Sequence, residues 1–221
     1  MEEVDEVVEE NAEFLEESDE DGGVTAQSVL QDIENAWLNE KFAPEILPHQ
    51  SDAVECMLQQ ISHMEDNMKS LGKGSMKSLI HQMEINRIRF IISSYLRCRL
   101  EKIEQYAMHI LTEEAQRGRE DGYLSSDELR FAKDYLSSIE LLFRTLALQH
   151  MPNVLQKFEI ETMTVKPNIH AHVFLRANKR ITGIIVPGTV DEEVDFEEGS
   201  QHIVQYSAVA DLVKNGDIQL I

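Results

Sequence analysis

The sequence contains few of the residues on which disulfides, metal centres and membrane spans depend. It has 2 cysteines in 221 residues, Cys56 and Cys98, and they form no CxxC pair. Because each lies inside an apolar helical pattern, we expect two buried, reduced thiols. No run of about 18 apolar residues occurs, and the acidic N-terminus lacks the basic and apolar segments of a signal peptide. These absences predict a soluble intracellular protein without a membrane partner.

Motifs that carry reaction chemistry are also missing. The sequence has no GxxxxGK[ST] or GxGxxG phosphate loop, no HExxH, no GxSxG and no EF-hand loop. His170 and His172 would face the same side of a strand, a geometry that can hold a metal, but no further ligands are placed by the sequence. An enzyme hypothesis has only this pair in its favour, so we expect a non-catalytic protein without a cofactor.

Acidic residues dominate the charge and are concentrated near the N-terminus. The formal net charge is -21, and residues 1–21 carry 12 Asp and Glu with no Lys or Arg. Clustered carboxylates repel one another, so residues 1–23 are predicted to be a disordered acidic tail. Ser18, followed by three acidic residues, is a possible phosphorylation site. The strong acidity argues against a general nucleic-acid-binding protein.

The next part of the chain has apolar residues at three- and four-residue steps, which is typical of packed helices. Ser125 and Glu128 are spaced as a capping box, which opens a helix with a regular apolar seam. That seam contains Leu129, Ala132, Leu136, Ile139, Phe143, Leu146 and His150. We predict helices over residues 25–41, 51–71, 75–111 and 125–150, with a polar loop at 112–124.

The third predicted helix has apolar residues on two faces. One stripe contains Ile80, Ile88, Ile91 and Tyr95, and the other contains Ile85, Ile92, Leu96 and Ile103. Because a helix that is apolar on both sides cannot be solvated, the second stripe should meet another helix of this chain or a different subunit. The arginines between the stripes are either a solvated face with local ion pairs or partner contacts. Assembly is therefore the first function suggested.

After Pro167 the pattern changes to period two. It predicts strands at 172–176, 181–186, 201–206 and 217–221 and a short helix at 208–214, with Asn215 and Gly216 as the turn signal before the last strand. Such a small module has a marginal core, so it should lean on the rest of the chain or on a partner. Leu220 and Ile221 are apolar at its end and are expected to be docked.

The predicted fold class is thus mainly α, a helical bundle followed by a small β-rich module. The expected divisions are a tail at 1–23, a helical A domain at 24–151, a linker at 152–167 and a β-rich B domain at 168–221.

Five segments in this order resemble the Sld-five-type subunits of the GINS family. They are AWLNEKFAPEIL (36–47), IHQMEINRIRFIISSYLRCRLEKIEQY (80–106), LQHMPNVLQKF (148–158), GSQHIVQY (199–206) and GDIQLI (216–221). The resemblance implies a heterotetramer with three sister GINS subunits in the nucleus. It also implies a scaffold role in the eukaryotic replicative helicase, needed for initiation and elongation of DNA replication. The implied partners are the MCM ring, the Cdc-type activator and the replicative polymerases, with indirect or weak DNA contact.

The resemblance and the apolar stripes together suggest residues of a subunit interface. They are Ile85, Ile92, Tyr95, Leu96, Arg97, Arg99, Leu220 and Ile221. A competing hypothesis is an acidic nuclear chaperone for basic proteins such as histones, with residues 1–21 as its binding element. Isolated-chain solubility separates the two, because an obligate subunit should aggregate without its sisters.

Overall fold

The structure is a computed structural model, and it describes residues 25–70, 75–117, 122–153, 156, 164–185 and 193–221. The chain divides into two compact units, one made of Met1–Trp37 with Gln50–Tyr95 and the other of Leu38–His49 with Leu96–Ile221. The predicted tail with Ser18 and most of the predicted linker lie outside the described residues. The predicted division into A domain, linker and B domain stays a prediction.

The helical part contains the elements that the periodicity predicts. Helix α1 spans Ala26–Phe42, α2 spans Ser51–Ser70, α3 spans Met76–Gln116 and α4 spans Ser126–Leu146, followed by a 3-10 turn at Leu148–His150. Together with the small C-terminal sheets, these helices confirm the predicted fold class.

The predicted polar loop at 112–124 is wrong in its first part. Helix α3 passes a non-helical Tyr106 (φ -120°, ψ 24°) and continues to Gln116. Arg117 bonds the carboxylate of Glu113, one turn earlier, at 2.9 Å. Ion pairs at this spacing stabilise a helix, which explains why a polar sequence remains helical here.

The first unit packs α1 and α2 against the first half of α3. Its core contains Val29, Ile33, Val54, Met57, Ile61, Ile85, Ile88, Ile91, Ile92 and Tyr95. The buried residues of both predicted stripes up to Tyr95 therefore meet other helices of this chain, which settles the choice between a helix and a subunit for them. The exceptions lie farther along α3, where Leu96 is exposed and Ile103 belongs to a separate core.

Helix α4, in the second unit, begins as predicted but is not a fully buried seam. The Ser125 hydroxyl accepts a hydrogen bond from the Glu128 N–H, and the Glu128 carboxylate accepts one from the Ser125 N–H, which confirms the capping box. Of the predicted seam only Ala132 is buried, whereas Phe143 and Leu146 are exposed. The second half of the predicted apolar seam is therefore exposed in this chain.

The C-terminal module, also in the second unit, contains two antiparallel sheets and a helix. Its elements are β1 (His172–Ala177), β2 (Ile181–Ile185), β3 (Glu193–Phe196), β4 (Gln201–Gln205), α5 (Tyr206–Lys214) and β5 (Ile218–Leu220). One sheet has the order β4-β1-β5, and β2 pairs with β3. The sequence did not predict β3, because its apolar residues alternate with acidic ones that are rare in strands. The predicted turn before β5 is present, with Gly216 at φ 78°.

The core of the module includes residues from a distant part of the chain. We call residues 38–49 the junction segment, and its Ala43 and Leu47 pack into the same cluster as β1, β4, α5 and β5. The expectation that the module leans on the rest of the chain is confirmed. Leu220 is fully buried as predicted, whereas the Ile221 side chain is 42% exposed in this chain, so docking of that side chain stays a prediction. Alternation along β5 turns consecutive side chains to opposite faces.

Candidate subunit interface and its buried polar junction

The second unit is built around one buried arginine, Arg99. Its Nε donates to the Glu128 carboxylate at 2.7 Å, and Nη2 donates to the same carboxylate at 3.0 Å and to the Tyr123 carbonyl at 2.8 Å. Nη1 donates to the Glu40 carboxylate at 3.0 Å and to the Leu47 carbonyl at 2.7 Å. The forked guanidinium has five N–H donors. Its five bonds join α3 to the start of α4, to the end of α1 and to the junction segment.

A second cation completes this buried polar cluster. Lys102 Nζ donates to the other oxygen of Glu40 at 2.7 Å and to the Glu45 carbonyl at 2.7 Å. Burial lowers the pKa of Lys102 below its ordinary value, although Glu40 opposes that shift. Burial acts to raise the pKa of Glu128, but the bonds from Arg99 outweigh it and hold that pKa below its usual range. Two cations face two carboxylates, the balance that makes burial of charge tolerable.

The junction segment also bonds the C-terminal module. Asn39 Oδ1 accepts a hydrogen bond from the Leu220 N–H at 2.8 Å. The Glu45 carboxylate accepts one from the Tyr206 hydroxyl at 3.0 Å and pairs with Lys214 Nζ at 3.0 Å. Burial, and then the negative charge of Glu45, raise the pKa of the Tyr206 hydroxyl, so it remains a donor. The last strand and α5 are therefore both bonded to the junction segment.

Two groups of apolar side chains remain exposed on the helices. The α3 stripe consists of Met76, Leu79, Met83 and Phe90, which are 56% to 66% exposed and recur at helical spacing. The α4 stripe consists of Leu141, Leu142, Phe143 and Leu146, which are 41% to 69% exposed. Clusters of large apolar side chains at a surface mark sites of protein association.

The structure divides the eight predicted interface residues into two groups. Five are buried within their own chain, namely Ile85, Ile92, Tyr95, Arg99 and Leu220. Three are exposed, namely Leu96, Arg97 and Ile221. The interface role stays a prediction. The five buried residues pack inside this chain and contribute to its own stability. The exposed stripes were missed, although the spacing of Met76, Leu79 and Met83 was a signal for them.

The arginines of α3 mostly follow the local ion-pair interpretation. Arg87 bonds Glu34 of α1 at 2.6 Å, and Arg89 bonds Glu65 of α2. Arg97 is exposed and has no ion pair to another described residue. Of the three, Arg97 is therefore the one left for a partner carboxylate.

The remaining sequence predictions concern cysteines and metals. Cys56 is exposed, so the prediction of a buried thiol is wrong there, because the core of the first unit takes Val54 and Met57 of α2 instead. Cys98 is half-buried, and burial raises its pKa. His170 and His172 belong to no group of three or more potential metal ligands in the described part of the chain. Within the same residues, no helix is long and apolar enough to cross a membrane.

Comparison with known proteins decides the family. A family model described as "GINS complex protein helical bundle domain" matches residues 55–147, and one described as "DNA replication complex GINS protein SLD5 C-terminus" matches residues 167–221. The chain belongs to the GINS SLD5 family. The resemblance noted in the sequence is confirmed.

Relatives in the GINS SLD5 family are similar over almost their whole length. The chain is 47% identical over 203 residues to a Bos taurus protein, which covers 90% of this chain and 91% of that protein. It is 44% identical over 210 residues to a Rattus norvegicus protein (93% and 94%) and 42% identical over 213 residues to a Homo sapiens protein (92% and 96%). All three are named "DNA replication complex GINS protein SLD5".

Proposed function

We propose that this chain is a non-catalytic subunit of the GINS complex and acts in DNA replication in the nucleus. Membership of the GINS SLD5 family and the names of its relatives support this role. The observation that carries the proposal is the pair of exposed apolar stripes on α3 and α4, which the chain leaves uncovered among its described residues. Binding, rather than reaction chemistry, is the activity for which these surfaces are suited.

The finer role we propose is that of a scaffold with three sister subunits. The assembly would join the MCM ring and the Cdc-type activator in the replicative helicase and would connect to replicative polymerases. In this view the Arg99 junction keeps the second unit rigid, and the exposed stripes supply the docking energy. Rigid partners lose less conformational entropy on binding, which favours assembly.

The free energy of association requires burial of both stripes. Burying a large apolar side chain stabilises by about 1.5–3 kcal/mol, so four half-exposed side chains contribute on the order of 5 kcal/mol per stripe. Association costs about 4–15 kcal/mol in lost translational and rotational freedom. One stripe barely offsets that cost, and a stable complex needs the two together.

The test is coexpression of the chain with the other GINS subunits, followed by size-exclusion chromatography. Met83→Asp on α3 and Leu142→Asp on α4 should each remove the chain from the complex, because a carboxylate then faces an apolar partner surface. Lys133→Asp, at an exposed α4 position outside the stripe, is the control and should assemble normally.

Circular dichroism of each variant checks that folding is intact, which is expected because the substituted side chains are exposed. Normal recovery of the complex with both Met83→Asp and Leu142→Asp would contradict the proposal. A chain that is soluble alone and binds histones without its sisters would instead favour the chaperone hypothesis.

A further inference from the structure

The three-stranded sheet of the module has one face that its core does not use. Val173, Leu175 and Val204 point into the core, whereas Phe174 and Ile203 are 59% and 60% exposed. We call the side of the sheet that carries these two residues the outer face. Large apolar side chains on the exposed side of a sheet need a reason beyond the stability of the module.

The exposed apolar residues of the outer face form a row across the strands. Phe174 of β1 is paired with Ile203 of β4. On its other side the Phe174 carbonyl accepts a hydrogen bond from the Ile221 N–H at 3.0 Å. Neighbouring strands are about 4.8 Å apart, so the row is a continuous apolar centre roughly 10 Å wide.

A polar rim without side-chain carboxylates flanks this row. Arg176 and Gln201 form the next cross-strand pair on one side, and His172 and Gln205 form the pair on the other. Lys179 and Lys214 bond Asp217 and Glu45, whereas Arg176 has no ion pair to another described residue. In a chain of net charge -21, this face therefore offers an available cation beside an apolar centre.

Strand β4 lies at the edge of this sheet, and among the described strands its outer side is unpaired. The residues on either side of β4 bond the neighbouring strand and its start. The Ser200 carbonyl accepts a hydrogen bond from the Ala177 N–H of β1, and the Tyr206 N–H donates to the carbonyl of Ala171, the residue before β1. Because antiparallel bonding alternates, the N–H and C=O groups of Gln201, Ile203 and Gln205 point away from β1. No other described strand pairs with that edge. An edge of this kind can accept an added strand.

We propose that the outer face binds an extended acidic segment of another protein by strand addition along β4. An apolar side chain of the segment packs opposite Ile203 and against Phe174. A carboxylate two residues away, on the same face of the added strand, lies opposite Gln201 and meets the guanidinium of Arg176. The partner is thus defined by an apolar and an acidic side chain two residues apart, and a sister subunit covering this face would contradict the proposal.

The first test uses the assembled GINS complex. The inference rests on the proposed function only because this sample requires the complex to form. Assembly of the wild-type complex and of the Phe174→Ser variant is measured first, so that failure to assemble at wild type counts against the proposed function alone. A displayed library of random linear peptides is then selected on the wild-type complex and counter-selected on the Phe174→Ser complex. We expect recovered peptides to carry a carboxylate two residues away from an apolar side chain.

The second test measures one recovered peptide by fluorescence anisotropy. Arg176→Glu should weaken its binding by about tenfold or more, because a charge-assisted hydrogen bond is lost and a like charge is introduced. Arg180→Glu makes the same charge change at an exposed turn position of the module and should leave binding nearly unchanged.

Three results would overturn the inference. They are recovery of no peptide that Phe174→Ser discriminates, equal effects of Arg176→Glu and Arg180→Glu, and loss of the sister subunits in the Phe174→Ser variant.

Discussion

Replacement of Arg99 by alanine should destabilise the chain far more than the same change at Arg97, two residues earlier. Arg99 is fully buried, and its loss removes the guanidinium hydrogen bonds to the carboxylates of Glu40 and Glu128 and to two backbone carbonyls. Removing one partner of a buried ion pair costs about 3–5 kcal/mol. That is a large part of the roughly 5–15 kcal/mol by which a domain is stable. Exposed Arg97 should cost no more than about 0.5 kcal/mol.

The assay is thermal unfolding of the complex purified with its sister subunits, because the isolated chain is expected to aggregate, and it is followed by far-ultraviolet circular dichroism. For a chain of this size, about 1 kcal/mol shifts the melting temperature by ~2–4 °C, so Arg99→Ala should melt at least ~6 °C lower. Arg99→Lys should rescue only part of this loss, because an ammonium has three donors and cannot form the fork with Glu128. Equal stability of the Arg97→Ala and Arg99→Ala chains would refute the role given to the junction.

Three further outcomes follow from other parts of the molecule. The folded pKa of Glu128 is lowered, so the stability that its carboxylate contributes is present above about pH 4.3 and is lost as pH falls through the folded pKa. The difference in unfolding free energy between wild type and Glu128→Gln should therefore shrink on acidification. A difference that grows at low pH would contradict the lowered pKa. Deleting Ile221 alone should change urea stability little, whereas deleting Leu220 as well should cost a further ~1.5–3 kcal/mol; equal losses would contradict the burial difference. Deleting residues 1–22 should leave folding and assembly intact, and loss of the complex in pull-downs would show otherwise.

The elements predicted correctly from the sequence are those whose signals are local. The capping box of Ser125 and Glu128 involves residues three apart, and the turn before β5 needs only Asn215 and Gly216. The seams of α1 and α2 likewise depend on side chains within a few helical turns. Such features do not require knowledge of the tertiary fold.

The roles of the two neighbouring arginines could not be distinguished in that way. Arg97 and Arg99 have similar sequence contexts, and only the structure shows that Arg99 meets Glu40 and Glu128, 59 and 29 residues away. The apolar seam of α4 was overestimated for a related reason. Periodicity identifies an apolar face, but it does not say whether this chain or another covers it.

The candidate interface was therefore only partly predictable. The sequence predicted that α3 contacts other subunits, but most residues of its two predicted stripes are buried in the core of the first unit. The exposed stripe runs instead through Met76, Leu79 and Met83, whose mixture with polar residues made it less conspicuous. A third apolar face is the feature that distinguishes α3 from an ordinary core helix.

The central claim is that the exposed stripes of the helices are subunit contacts, and hydroxyl-radical footprinting of the purified GINS complex tests it most directly. The account predicts that Met76, Met83 and Leu142 of the assembled complex are strongly protected from oxidation, although the chain by itself leaves these side chains exposed. Phe174 on the outer face should be oxidised readily in the same sample. Oxidation of Met83 and Leu142 as ready as that of Phe174 would contradict the account.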